Sequence, residues 1–100
     1  MQRGGVVYIM TNKRNGTLYV GVTSNLKQRI WEHCNKVYPD SFTSKYGCFN
    51  LVYYNSYHRI EEAIAEEKRI KAGKRKAKLE LIEEMNPDWN NLCEEIKDWD

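Results

Sequence analysis

Apolar and polar positions change period several times along the chain, and each change marks an element. Val6-Val7-Tyr8-Ile9-Met10 and Thr17-Leu18-Tyr19-Val20-Gly21-Val22 are short runs rich in β-branched and aromatic residues. The polar segment between them ends in Asn15-Gly16, so the pair predicts a β-hairpin. In the second strand Tyr19 and Gly21 share one face, and Leu18, Val20 and Val22 the other. Thr23-Ser24-Asn25 offers three N-cap residues in a row. Leu26 to His33 then reads as a helix with Leu26 and Ile30 inward. Arg29 and His33, four apart, share a different face of it. Val37 to Gly47, with Pro39, Asp40 and Gly47, reads as a loop whose Thr43, Ser44, Lys45 and Tyr46 could touch phosphate. Phe49 to Asn55 predicts a third strand that extends toward Tyr57. Ile60 to Ala72 has helical spacing, Gly73 interrupts it, and Lys74 to Met85 predicts a further helix stopped by Asn86-Pro87. Asp88 to Asp100, with Trp89, Leu92, Ile96 and Trp99, reads as a short packed tail.

The order is β-β-α-β-α-α. It predicts an α+β domain with a three-stranded, mostly antiparallel sheet flanked by helices. Residues 1–100 are expected to form one domain, with a core over about 5–92 and an acidic tail helix at 93–100.

Composition narrows the class. With 41% hydrophobic and 30% charged residues the chain is globular rather than a disordered tail. No apolar run approaches the roughly 18 residues of a membrane span, and the N-terminus lacks a secretory stretch. The expected location is the cytoplasm. Cys34, Cys48 and Cys93 are widely spaced, there is no C-x-x-C pair, and His33 and His58 lie apart. A structural zinc site is therefore not expected, and reduced, partly buried thiols are.

Charge adds an asymmetry. Residues 1–78 carry 15 Lys or Arg against 6 Asp or Glu, whereas 79–100 carry 1 against 8. A basic body with an acidic end suits a polyanion binder, although solvated helix faces give the same balance. The densest stretch, Lys68 to Lys78, holds seven cations in eleven residues: Lys68, Arg69, Lys71, Lys74, Arg75, Lys76 and Lys78. It reads either as a solvated junction between helices or as a phosphate-tracking patch, joined by Lys27 and Lys45.

Two further features invite chemistry. Gly21 inside a strand implies a close approach to the backbone on the face of Tyr19. Glu67 sits toward the buried side of its helix, where an acid must be paired, solvated in a cleft or holding a metal; Lys71, four residues on, is the obvious partner.

At this point the residues resemble the GIY-YIG nuclease superfamily, and in particular its small stand-alone bacterial members. Val6-Val7-Tyr8, then Tyr19-Val20-Gly21, then Arg29 and His33 on a helix are in the family's order. Glu67-Lys68-Arg69-Ile70-Lys71 looks like the family's metal-glutamate segment, and Pro87-Asp88-Trp89-Asn90 like its closing element. The first family glycine is Val6 here and its isoleucine Val7, both backbone and packing positions. The resemblance implies a metal-dependent endonuclease hydrolysing phosphodiester bonds in DNA or structured nucleic acid. It implies that Tyr8 and Tyr19 sit at the active site, with Tyr8 helping to activate water. Arg29 would hold the scissile phosphate, His33 would hydrogen-bond near the nucleophile or serve as base, and Glu67 would be the single protein ligand of Mg²⁺ or Mn²⁺. Asn90 would support the site, with Asn86 and Asn91 competing for that role. A free tyrosine, with a pKa of about 10, is a poor base at neutral pH, so the choice among Tyr8, Tyr19 and His33 stays open. The implied partner is nucleic acid, first of all DNA, with no membrane and with a partner protein supplying target specificity. Two other readings are a nucleic-acid-binding module with lost catalysis, and an interaction domain using a surface around Trp89 and Trp99.

Overall fold

The structure, a computed structural model, describes residues 4–35 and 40–97. Its elements are β1 (Gly5–Thr11), β2 (Leu18–Thr23), α1 (Leu26–Cys34), α2 (Phe42–Tyr46), β3 (Asn50–Tyr57), α3 (Ile60–Ala72), α4 (Arg75–Met85) and α5 (Cys93–Lys97). The three strands form one antiparallel sheet in the order β2-β1-β3. The α+β class and the order of the expected elements hold.

β1 is the centre strand and is buried on both faces, so it reads as a continuous apolar run rather than an alternation. Its pairing with β2 places Tyr8 opposite Gly21 and Met10 opposite Tyr19. The connecting loop turns at Asn15, which takes a left-handed φ of 57°, and Gly16 N–H closes on the Lys13 carbonyl at 2.9 Å. The pairing with β3 carries a bulge: Ile9 faces Tyr53 but Met10 faces Leu51. Val52 and Tyr53 therefore turn to the same face despite being adjacent.

Each face of the sheet has its own core. Val7, Ile9, Val20, Val52 and Tyr53 pack with Ala63, Ile70, Ile82 and Trp89 from α3, α4 and the turn after them. Val6, Tyr8, Met10 and Leu51 pack with Leu26 and Ile30 of α1, Cys48, and Ile96 of α5. The period of 2 in β1 thus sends alternate side chains to two different helix layers. Gly5 is needed where α3 begins, because a Cβ there would lie 2.6 Å from both Ala63 Cβ and Ile60 Cδ1.

Three expectations are corrected. Phe42 to Tyr46 forms the short helix α2 inside the segment expected to be loop. It is missed because five residues are too few to show a period, and because the residue it buries is the polar Thr43. The part of that loop at 37–39 lies outside the described residues. Within the described residues the tail is irregular over 88–92 and helical over Cys93–Lys97; 98–100, with Trp99, lie outside the described residues. Trp89 does not present a surface. It is buried against α3 and α4, held at a left-handed φ of 55° by a turn in which its N–H meets the Asn86 carbonyl at 3.0 Å. An interaction surface around Trp89 is therefore ruled out by its burial.

Candidate active site

The strand pairing explains Gly21. A Cβ at that position would lie 2.5 Å from both Cζ and the hydroxyl oxygen of Tyr8. The group that approaches the β2 backbone is thus the phenol of Tyr8, reaching across from β1 on the face shared with Tyr19. Tyr8 is fully buried and Tyr19 half-buried, with ring centroids 6.2 Å apart.

α1 brings the next groups. Asn25 caps it by accepting the Gln28 N–H at 3.1 Å, and Thr23 Oγ1 accepts the Asn25 N–H at 3.1 Å. Leu26 and Ile30 anchor the helix in the core, which fixes the azimuth of the remaining positions. His33, on the last turn, is buried with its Nε2 3.1 Å from the Tyr8 hydroxyl. Its ring centroid lies 5.9 Å from Tyr8 and 5.8 Å from Tyr19, so the three rings form a closed triangle. Arg29, one turn earlier, is partly exposed and pairs with Glu32 at 3.2 Å. Its guanidinium is near enough to the Tyr8 phenol for its charge to oppose the effect of burial there.

α2 closes the other side of His33. The buried Thr43 Oγ1 lies 2.8 Å from His33 Nδ1, and Ser41 Oγ lies 3.2 Å from Thr43 Oγ1. Both ring nitrogens of His33 therefore have partners, which fixes its orientation. Thr43 figured in the sequence only as a loop hydroxyl that could meet phosphate. Its contact with the imidazole depends on where α2 docks, which local sequence does not encode.

The electrostatics follow from burial. Desolvation pushes the Tyr8 phenol well above its ordinary value, the Tyr19 phenol pushes the same way, and Arg29 opposes both. Desolvation, then the Arg29 charge, pull His33 below the ordinary histidine value against Glu32. At neutral pH the pair is a neutral phenol facing a neutral imidazole, in which one ring nitrogen donates and the other accepts.

Other sequence-nominated residues stand apart from this cluster. Glu67 is on α3, which packs over β1 and β2 on the opposite face of the sheet from Tyr8. Its side chain is 13% exposed and its Oε2 lies 2.7 Å from Lys71 Nζ. Asn90 is exposed on the turn after α4, and its backbone N–H donates to Asn86 Oδ1 at 3.0 Å. Asn86 is the buried member of the three asparagines, donating to the carbonyls of Val52 and Asn90 at 3.2 and 2.8 Å. Asn91 instead accepts the N–H groups of Leu51 and Cys93. Much of the basic run has partners within the fold. Arg69 pairs with Glu66, Lys71 with Glu67, Arg75 donates to the carbonyls of Asn15 and Gly16, and Lys78 donates to the Gly73 carbonyl at 2.8 Å. Lys27, Lys45, Lys68, Lys74 and Lys76 are exposed. Among the described residues there is no group of three or more His, Cys, Asp or Glu side chains able to hold a metal, and no helix long and apolar enough to cross a membrane.

Residues 4–80 match the model of the GIY-YIG catalytic domain. The chain belongs to the GIY-YIG family. This is a nuclease superfamily whose members generally use divalent metal ions. The matched segment contains Tyr8, Tyr19, Arg29, His33 and Glu67 and ends before Asn86 and Asn90. Among relatives, the GIY-YIG chain is 36% identical over 90 residues to UPF0213 protein CPE1444 of Clostridium perfringens, covering 90% of this chain and 95% of that protein. It is 38% identical over 77 residues to UPF0213 protein OB0043 of Oceanobacillus iheyensis, covering 77% and 87%. The solution NMR structure of UPF0213 protein BH0048 from Bacillus halodurans superposes with a TM-score of 0.55 at 28% identity, covering 87% of this chain and 90% of that one.

Proposed function

We propose that this GIY-YIG domain is an endonuclease that hydrolyses phosphodiester bonds of DNA or structured nucleic acid around Tyr8 and His33. The observation that carries the reading is the 3.1 Å contact between the Tyr8 hydroxyl and His33 Nε2, with Arg29 and Tyr19 beside it, in a chain of a nuclease family.

The raised Tyr8 and lowered His33 values give each group one role. Tyr8 is not a phenolate at rest, so it cannot act alone as base. Neutral His33 can accept at Nε2 while its Nδ1–H donates to Thr43 Oγ1. Tyr8 then takes a proton from the attacking water as it passes its own proton to His33 Nε2. The water oxygen bonds to phosphorus, the bond to the leaving oxygen breaks as that oxygen takes a proton from solvent, and His33 ends as imidazolium. Arg29 binds a non-bridging phosphate oxygen through its planar fork, with Glu32 steadying it from the other side. Tyr19 supports the Tyr8 ring and lines the entry to it.

Glu67 supplies one carboxylate toward a divalent ion. Such an ion takes one or two carboxylates and fills its other positions with water and substrate phosphate, so a lone acid fits it. Lys71 holds Oε2, and an incoming cation would displace that ammonium. Bound there, Mg²⁺ or Mn²⁺ would supply positive charge to the substrate's phosphates from the α3 side of the sheet, apart from the Tyr8–His33 pair. Asn90 supports the site from outside the Tyr8–His33 pair. Nicking of single-stranded, duplex and branched substrates with Mg²⁺ or Mn²⁺, in wild type, Arg29→Ala and Glu67→Ala, tests the reading. Absence of cleavage by the wild type across all three substrates defeats it.

A second reading, binding without catalysis, is favoured by the same Lys71–Glu67 ion pair, which already neutralises the metal-directed acid. In that case affinity resides in Lys27, Lys45, Lys68, Lys74 and Lys76, and a partner protein would supply the target. Steep salt dependence of binding that persists in Glu67→Ala, with no cleavage, distinguishes it.

A further inference from the structure

The aromatic contacts of the site continue outward past Tyr19. The Phe42 ring centroid lies 5.8 Å from that of Tyr19, and the Tyr46 centroid 4.6 Å from that of Phe42. Phe42 is 43% exposed and Tyr46 54%. A connected row of rings thus runs from buried Tyr8, through half-buried Tyr19, to two rings in solvent.

The local structure holds this row in place. Ser41 caps α2 at one end, Gly47 closes it with a left-handed φ of 66° at the other, and Thr43 ties it to His33. Phe42 and Tyr46 are four residues apart, so they share one face of the helix, while Thr43 turns inward. Lys45, on the same turn, is exposed. The fold therefore fixes two adjacent apolar ring faces beside the reacting groups without burying them. Adjacent exposed aromatics next to a cation are the composition of a base-stacking surface, because every nucleobase offers a flat π-face and a flanking phosphate.

We infer that Phe42 and Tyr46 form a stacking platform for unpaired nucleobases, which seats a single-stranded segment of nucleic acid against Tyr8 and His33. The inference rests on the phosphodiesterase reading for its account of why a strand lies there, and deepens it by naming the form of the substrate. A base inside a duplex has both faces covered by its neighbours. The platform therefore selects a single strand, a flap or a loop. Lys45 on α2 and Arg29 on α1 supply charge for the phosphates on either side of the stacked base. DNA and RNA present the same ring faces, so both are included below.

The test is fluorescence anisotropy of labelled strands about twelve nucleotides long, within the usual site size of a single-strand binder. Metal is chelated so that nothing is cut. Wild type is titrated with an intact DNA strand, the same strand with abasic sites at its centre, an RNA of the same sequence, and a duplex. The platform predicts that the intact strand, as DNA, RNA or both, binds about tenfold tighter than its abasic counterpart and the duplex. Phe42→Leu/Tyr46→Leu keeps apolar volume but removes the rings, and it lowers affinity for the intact strand to the abasic level. Phe42→Tyr/Tyr46→Phe keeps the preference. So does Trp31→Leu, which removes an exposed indole from the separate groove between α1 and α5. If the double leucine variant melts early, Tyr46→Leu alone gives the same comparison, since Tyr46 is the outermost ring of the row.

Equal affinity of wild type for intact and abasic strands overturns the platform. So does a preference that survives in the leucine variants or is lost in Trp31→Leu. Cleavage of the same strands with Mg²⁺ separates this from the catalytic reading. Cleavage without a base preference defeats the platform alone, and a base preference without cleavage defeats the hydrolase alone.

Discussion

Gly21 leaves the space that Tyr8 occupies. The two residues face each other across the β1–β2 pair, and a Cβ on Gly21 would lie 2.5 Å from the Tyr8 hydroxyl oxygen. The glycine is thus a spatial requirement of the phenol and of its contact with His33. Gly21→Ala is expected to displace the ring, cost about 1–3 kcal/mol of stability as overpacking does, and lower cleavage at least tenfold. Thermal unfolding and nicking assays check the two effects. An alanine variant with wild-type rate contradicts the geometric role.

His33 sets the pH response. Its folded value lies below the unfolded one, owing first to burial and then to Arg29. The neutral ring is therefore the form the fold favours. Its contribution to stability is fully present above the unfolded value of about 6.5 and is lost as pH falls through the lower folded value. Cleavage follows the same protonation and falls on the acid side. His33→Gln should remove that acid limb, which a pH–rate profile of the two proteins reveals.

Thr43 acts through His33. Thr43→Val removes the partner of Nδ1 and leaves a buried ring nitrogen unpaired, at a cost of about 1–3 kcal/mol. Thr43→Ser keeps the hydroxyl and should restore the pH profile and most of the rate. A valine variant with an unaltered profile would show that Thr43 does not orient the ring.

The sequence made half of this site legible, and the reason lies in period. Tyr19 and Gly21 share a face because strands alternate, and Arg29 and His33 share one because helices repeat every 3.6 residues. α3 spans Ile60–Ala72 as its spacing predicts. The closure of the site was not legible. α2 is too short for a period, and its inward residue is polar. The bulge that turns both Val52 and Tyr53 to one core breaks the alternation in β3. Glu67 falls on the opposite face of the sheet because of where α3 docks, a tertiary choice that a local motif does not carry.

Asn86 and Asn90 separate support of the fold from support of the reaction. Asn86→Ala strips partners from Val52 and Asn90 and is expected to cost about 2 kcal/mol, read as a lower Tm. Asn90→Ala changes an exposed side chain and should leave Tm within error. A fall in its cleavage rate at unchanged Tm then reports the role proposed for Asn90, and a wild-type rate rejects it.

The thiols are expected to differ in reactivity. Cys34 is exposed, and the neighbouring Cys93 thiol pulls it down, whereas burial pushes Cys48 up. Iodoacetamide near neutral pH should label Cys34 ahead of Cys48, as peptide mass mapping would show. Faster labelling of Cys48 would contradict this difference in exposure.

The central claim is that Tyr8, passing a proton to His33, activates the water that cuts the strand. Its most direct measurement is the single-turnover rate of Tyr8→Phe on a single-stranded substrate with Mg²⁺ or Mn²⁺. Phenylalanine keeps the ring under Gly21 and removes only the hydroxyl that meets Nε2. The account predicts an intact fold, strand binding within about twofold, and a rate lower by about 10²-fold or more. A Tyr8→Phe protein that cuts at the wild-type rate would contradict it.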